Sequence, residues 1–246
     1  MTRRILIVGG CPRSGTTALT RLLNCHPELL IGDERYYWLF DQRRIAARHF
    51  ERARFLDLRE ADRHWAEGRA PWPPCDPDGS DGSGDLGARY DRARFVGDKY
   101  PRLSDVTDHL AAALPDAQLV WIVRNPLSVA ESYEARRADE ADAWFFGLDR
   151  AMVDWNRGVG GIAAAPGALV LSYERLFAGA GDPARLFRAL DLDPAPAMTG
   201  ARAILDEARR VTRRDGPRCE ATRFEVARRA DWSAFRAATE DRCLLA

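Results

Sequence analysis

Two short stretches of this chain have the residue types and spacing to bind phosphate groups, and two further residues are placed to do chemistry beside them. The first stretch, Gly10-Cys11-Pro12-Arg13-Ser14-Gly15-Thr16-Thr17, follows the apolar run Ile5-Leu6-Ile7-Val8 and opens into a helical pattern. Strand, tight loop and helix in that order aim backbone N–H groups at an anion on the helix N-terminus. Amides from Ser14 through Gly15 and Thr16 to Thr17 form the expected cradle. The hydroxyls of Ser14, Thr16 and Thr17 add neutral donors, and Arg13 adds a charged fork. In the second stretch the apolar run Val120-Trp121-Ile122-Val123 ends in Arg124-Asn125-Pro126. Pro126 suits a first helical turn, and Ser132 then lies two turns in, facing roughly the side of Arg124. By itself this reads equally well as a capped helix beside a surface arginine. Next to the first loop it makes a second anion site, and the pair implies a ligand with two separated phosphates.

The first loop has the spacing of the ATP/GTP-binding motif G-x-x-x-x-G-K-[ST], but Thr16 stands where the lysine belongs. That lysine reaches the β- and γ-phosphates, so this loop suits a nucleotide without them. Among 37 basic residues only Lys99 is a lysine. It follows the apolar Phe95-Val96 in Gly97-Asp98-Lys99-Tyr100-Pro101, at the carboxyl end of an expected strand, where α/β sheets bind ligands. A compact ammonium close to a bridging oxygen does what the wider guanidinium does badly. Asp33-Glu34, after Leu29-Leu30-Ile31-Gly32, supplies carboxylates that can take a proton. The plainer reading is a solvated pair, or an ion pair with Arg35.

These groups need a scaffold, and the hydrophobic pattern describes one. Strands are expected at Arg4–Val8, Leu29–Gly32, Phe95–Asp98, Gln118–Val123 and Ala168–Ser172, each short and apolar as strands buried on both faces are. Helical patterns fill the intervals at Thr16–Cys25, Ser104–Leu114, Leu127–Arg137 and Trp144–Ile162. Pro183–Leu190, Ala201–Val211 and Glu225–Ala238 follow the last strand. The alternation predicts an α/β fold: a P-loop-type doubly wound parallel β-sheet of about five strands flanked by helices, with a helical C-terminal region over 191–246, in one domain of 246 residues. Residues 71–88, rich in Gly, Pro and Asp, read as a loop, either disordered or a lid in which Trp72 touches substrate.

Formal net charge is zero with 30% charged residues, so bulk attraction to nucleic acid or to an anionic membrane surface is not expected. No apolar run approaches the ~20 residues of a membrane span, and the apolar stretch near Met1 is too short for a secretory signal. Cys11, Cys25, Cys75, Cys219 and Cys243 show no C-x-x-C spacing. This argues against zinc and for free thiols in a reducing, cytoplasmic setting.

Pro12-Arg13-Ser14-Gly15-Thr16-Thr17 resembles the 5′-phosphosulfate loop of sulfotransferases that use 3′-phosphoadenylyl sulfate (PAPS). Arg124-Asn125-Pro126 with Ser132 resembles their 3′-phosphate motif, and the resemblance extends over about residues 4–190. It implies PAPS as the sulfuryl donor, adenosine 3′,5′-bisphosphate (PAP) as product, no obligatory metal, and a small-molecule or glycan hydroxyl as acceptor. It implies that Lys99 is the catalytic lysine and that Arg13 binds the 5′-phosphate or stabilises the sulfuryl group. Val170-Leu171-Ser172-Tyr173-Glu174 is similar to a later strand whose tyrosine lies near the adenine, so Tyr173 belongs either to the cofactor or to the core. His26-Pro27 with Gly32-Asp33-Glu34 resembles the branch containing tyrosylprotein sulfotransferases and several bacterial enzymes, in which a glutamate is the general base. This favours Glu34 over Asp33. In the cytosolic animal branch the base is a histidine two residues after the lysine, and Pro101 holds that place here. The family's C-terminal Gly/Lys/Arg loop has no close counterpart. Arg209 to Arg218 supplies only basic density, either to the cofactor or to solvent. An acceptor pocket is expected from Glu34–Phe40, the 71–88 loop and Ala141–Trp155, made aromatic by Tyr36, Tyr37, Trp38, Trp72, Trp144, Phe145 and Phe146. Two other readings compete. The missing loop lysine and a missing Asp–Mg²⁺ site count against a P-loop kinase or NTPase; Lys99 and Glu34 count against a non-catalytic nucleotide-binding module.

Overall fold

The computed structural model describes residues 3–62, 85–139, 145–179, 181–212 and 220–244. Within them, apolar runs form one sheet from β1 (Arg4–Gly10), β2 (Leu29–Asp33), β3 (Phe95–Tyr100), β4 (Gln118–Val123) and β5 (Leu169–Ser172). Every pairing is parallel, in the order β2-β3-β1-β4-β5. Parallel neighbours need long crossovers, which helices supply. In chain order these are α1 (Thr16–Asn24), α2 (Tyr37–Asp41), α3 (Arg52–Leu56), α4 (Leu86–Arg92), α5 (Thr107–Ala113), α6 (Pro126–Arg137) and α7 (Leu148–Gly161). After β5 come α8 (Ala184–Ala189), α9 (Met198–Thr212), α10 (Glu220–Arg229) and α11 (Trp232–Arg236).

Side chains alternate across each strand, so the sheet carries two cores. Leu6, Val8, Ile31 and Ile122 pack with Leu19, Leu22 and Leu23 of α1 and with Ile204 of α9. On the other face Ile7, Val96 and Trp121 pack with Tyr133 of α6 and Trp155 of α7. The chain leaves β1 toward β2 on one side and leaves β4 toward β5 on the other. Their carboxyl ends therefore frame the crevice in which such sheets bind ligands.

β1 and β3 run further than their apolar cores, to Gly10 and Tyr100, and β2 reaches Asp33. The polar residues of interest thus emerge directly from hydrogen-bonded strand ends. The helix expected from Trp144 begins at Leu148, and Trp144 lies outside the described residues. The helix expected over Glu225–Ala238 is broken after Arg229, and Asp231 caps the next one by accepting from the Ala234 amide at 2.9 Å. Of the loop expected over 71–88, residues 71–84 lie outside the described residues, while Leu86 to Ala88 already belong to α4, capped by Asp85. No described helix is long and apolar enough to cross a membrane.

Gly97 marks the tightest contact in the sheet: a Cβ there would lie 1.7 Å from the Leu6 carbonyl oxygen of β1. Because backbone blocks it, Gly97→Ala is expected to cost at least ~3 kcal/mol of stability. Urea unfolding measures this, and a midpoint equal to that of the parent would show that the β1–β3 ladder yields.

Candidate active site

After β1 the chain turns through Cys11–Gly15 into α1, and the Ser14 amide closes the turn on the Cys11 carbonyl at 3.1 Å. Arg13 (φ 69°) and Gly15 (φ 91°) both take left-handed backbone. Gly15 is required twice over, since a Cβ there would also lie 2.5 Å from the Tyr173 ring. No side chain caps the N-terminus of α1, as is also so at α2, α3, α5, α7 and α8; Asp85, Asn125 and Asp231 cap α4, α6 and α11. A helix start without a side-chain cap offers its amides to an anion. It opens into a pocket of about 220 Å³ lined by Arg13, Gly15, Thr16, Thr17, Arg124 and Tyr173, with Ile204, Glu207 and Ala208 of α9 as the opposite wall.

The second motif meets the first at this pocket. Arg124 Nη1 donates to the Arg13 carbonyl at 3.2 Å, and its guanidinium lies 4.2 Å from the centre of the Tyr173 ring. Arg13 Nε donates to Ser132 Oγ at 3.0 Å. The assembly is held from behind. Asn125 Oδ1 accepts from the Leu127 amide, its own amide donates to Glu174 Oε1 at 2.8 Å, and Ser172 Oγ donates to Glu174 Oε2 at 3.2 Å. Trp155 Nε1 donates to the Arg124 carbonyl at 2.8 Å. Ser14 is buried, and neither it nor Ser132 is among the residues that line the pocket. Tyr173, for which two roles were open, is at once a core contact of Phe177 and a wall of the pocket.

A second cluster forms at the carboxyl ends of β2 and β3, where Asp33 and Lys99 are register partners. Lys99 is fully buried; its Nζ is paired with Asp33 Oδ1 at 2.7 Å and with Glu34 Oε1. Burial pulls the ammonium pKa down, but the charges of Glu34 and Asp33 outweigh that pull and hold it above the ordinary lysine value. Glu34, the first residue past β2, has φ 59°, and its amide donates to the Lys99 carbonyl at 3.2 Å. Its side chain is 13% exposed against 5% for Asp33, so of the two carboxylates Glu34 is the one that reaches open space. Tyr37 stands nearby; burial raises its hydroxyl pKa, within the fields of Arg102, Asp41, Glu34 and Arg150.

The aromatic residues expected around an acceptor divide. Tyr36 and Phe40 are fully buried core, Trp38 and Phe145 are exposed, and Trp72 and Trp144 lie outside the described residues. Arg209 donates to the Gly179 carbonyl and to Asp206 rather than lining the pocket; residues 213–218 lie outside the described residues. The wall from α9 was not expected. Glu207 takes a two-pronged ion pair from Arg21 of α1 at 2.7 and 2.8 Å. The sequence carries a partial signal for it: Ala201, Ile204, Leu205 and Ala208 form an apolar stripe at helical spacing, which says that α9 packs but not on what. Among the described residues no group of three or more His, Cys, Asp or Glu is placed to hold a metal ion.

The left-handed backbone at Glu34 gives a test of the turn. Glu34→Gly is expected to be about 1 kcal/mol more stable than Glu34→Ala, because only glycine takes this conformation without strain. Thermal melts of the two variants decide, and equal melting points would show that the turn stores no strain.

The sulfotransferase family model matches residues 5–193. No curated protein matches the sequence. Among solved structures the chain is similar to the sulfotransferase domain of the Synechococcus PCC 7002 olefin synthase, at 19% identity, covering 78% of this chain and 75% of that one, with a TM-score of 0.48. It is similar to a sulfotransferase from Mycobacterium avium at 19% identity, covering 84% and 69%, with a TM-score of 0.48. It is also similar to a sulfotransferase from Alicyclobacillus acidocaldarius at 16% identity, covering 96% and 100%, with a TM-score of 0.46. The matched segment contains both phosphate motifs, Glu34 and Lys99, and the chain belongs to the sulfotransferase family.

Proposed function

We propose that this protein transfers the sulfuryl group of PAPS to a hydroxyl of a small-molecule or glycan acceptor, with Glu34 as general base and Lys99 stabilising the leaving group. The observation that carries this reading is the junction of two anion motifs distant in sequence. The Arg13 guanidinium donates to Ser132, the Arg13 carbonyl accepts from Arg124, and both arginines line one pocket. The residues present fit the donor. The α1 start without a side-chain cap, reached through the left-handed Gly15 and lining the pocket with Thr16, Thr17 and Arg13, suits a phosphate; Arg124 and Ser132 offer charge and a hydroxyl for a second.

When bound, PAPS supplies the sulfuryl group and leaves as PAP. The Ser14–Thr17 loop and the Arg13 guanidinium would hold the 5′ end, Arg124 and Ser132 would hold the 3′-phosphate, and Tyr173 would lie near the adenine. Glu34 takes the proton from the acceptor hydroxyl. That step neutralises one of the two anions gripping Lys99, so its ammonium becomes available to charge building on the bridging oxygen. Asp33 keeps Lys99 at the strand end throughout.

Titration calorimetry tests the donor. PAP is expected to bind at micromolar concentration and 5′-AMP far more weakly. Tight Mg·ATP binding with no preference for a 3′-phosphate would overturn the reading in favour of a kinase. Arg124→Ala is expected to weaken PAP by about 2–3 kcal/mol and to leave AMP unchanged; equal losses would place the 3′-phosphate elsewhere. Lys99→Met is expected to slow PAPS turnover by ~10²-fold or more while PAP affinity largely survives. Unchanged turnover would remove Lys99 from the chemistry.

A further inference from the structure

Asp98 stands immediately before Lys99 on β3, so the two side chains leave the strand on opposite faces. It is fully buried. Its two oxygens accept from two consecutive backbone amides: Oδ1 from Arg35 at 3.2 Å and Oδ2 from Tyr36 at 2.8 Å. Those amides directly follow Glu34, whose left-handed φ of 59° turns them to a common side. Successive amides in such a turn make a concavity for an anion, and the Asp98 carboxylate fills it. β3 thus grips the turn from both faces. Asp98 takes its backbone, Lys99 Nζ takes the Glu34 carboxylate, and the Lys99 carbonyl takes the Glu34 amide.

We propose that Asp98 is the positioning residue for Glu34, fixing the left-handed turn that presents the Glu34 carboxylate to Lys99 and to the acceptor. The inference rests on the reading of Glu34 as the general base.

The chain after the turn has anchors of its own. The Arg35 guanidinium donates to the carbonyls of Phe55 and Asp57 and lies 4.5 and 4.9 Å from the centres of the Tyr36 and Phe55 rings. Tyr36 donates its hydroxyl to the His49 carbonyl. What Asp98 adds is the direction of the backbone between residues 34 and 36. Burial pushes its carboxyl up to about 7, against the pull of the Tyr36 amide and the Arg35 charge. Gly32 belongs to the same device, since a Cβ there would lie 2.6 Å from Asp98 Oδ1.

The test uses the whole chain carrying D98N, which keeps the side-chain shape but replaces one acceptor oxygen with a donor. G32A, which pushes the unaltered carboxylate off its amides, serves as the second variant should D98N fold poorly. Crystal structures report the backbone at Glu34, calorimetry reports PAP binding, and PAP release from PAPS with p-nitrophenol as acceptor reports chemistry. Glu34 is expected to leave the left-handed region and its contact with Lys99, PAP affinity to stay within twofold, and PAP release to slow at least tenfold. The proposal is overturned if Glu34 keeps both its φ and its Lys99 contact, or if PAP release falls only in step with PAP affinity, as general loosening of the sheet end would produce. E34Q is measured alongside. If it turns over at the parent rate, Glu34 is not the base, while the D98N structure still decides whether Asp98 sets the turn.

Discussion

A single buried ammonium fixes the geometry of this sheet at the carboxyl ends of β2 and β3. Lys99 is out of water, and its charge is tolerable there only because Asp33 and Glu34 surround it. The ion cluster in turn depends on strand register. Asp33 and Lys99 are partners across the β2–β3 ladder, and both side chains emerge on the α1 face. A slip of one residue would turn Lys99 away from that face and bring Asp98 to it, placing carboxylate against carboxylate. Register, ion pairing and the direction of the Glu34 turn are therefore one constraint, and the tight Gly97 contact with β1 helps to lock it.

Much of this was legible in the sequence, and the parts that were share a cause. Strands β1 to β5 are short apolar runs bounded by Gly, Pro or charge, so periodicity locates them to within two residues. Arg13, Gly15, Arg124 and Ser132 stand out in the sequence because a phosphate site needs particular residue types at fixed offsets along one strand–loop–helix unit, and the structure brings the two motifs together. Asp98, Glu174 and Glu207 were not. Each acts through a partner far along the chain: the amides of Arg35 and Tyr36, the amide of Asn125, the guanidinium of Arg21. Nothing local distinguishes such a carboxylate from a solvated one. The short helices α2 and α3 were missed for a related reason, since five residues are too few to show a helical period.

Backbone strain sits at two of the residues proposed to act on donor and acceptor. Among the described residues, the non-glycine positions with positive φ are Arg13, Glu34, Arg43 and Asp191, and the first two are the charged groups proposed to face donor and acceptor. Each is held by neighbours that over-determine it: Arg13 by Ser132 and Arg124, Glu34 by Lys99 and Asp98. Such a backbone persists only when its surroundings insist on it. The conformation that aims each side chain is thus imposed from outside the residue, by strands and helices that are themselves rigid.

The pocket has two kinds of wall. One is built from the motifs and lies inside the segment that matches the family, residues 5–193. The other is α9, whose Ile204, Glu207 and Ala208 lie beyond it and are tied across by the Arg21–Glu207 pair. Chemistry and enclosure are in this sense separately encoded. On the function proposed above, substitutions in α9 retune how tightly the nucleotide is held, and how fast spent product escapes, without touching Glu34 or Lys99. Turnover and residence time are then independently adjustable in one fold, through a helix that the motifs do not mention.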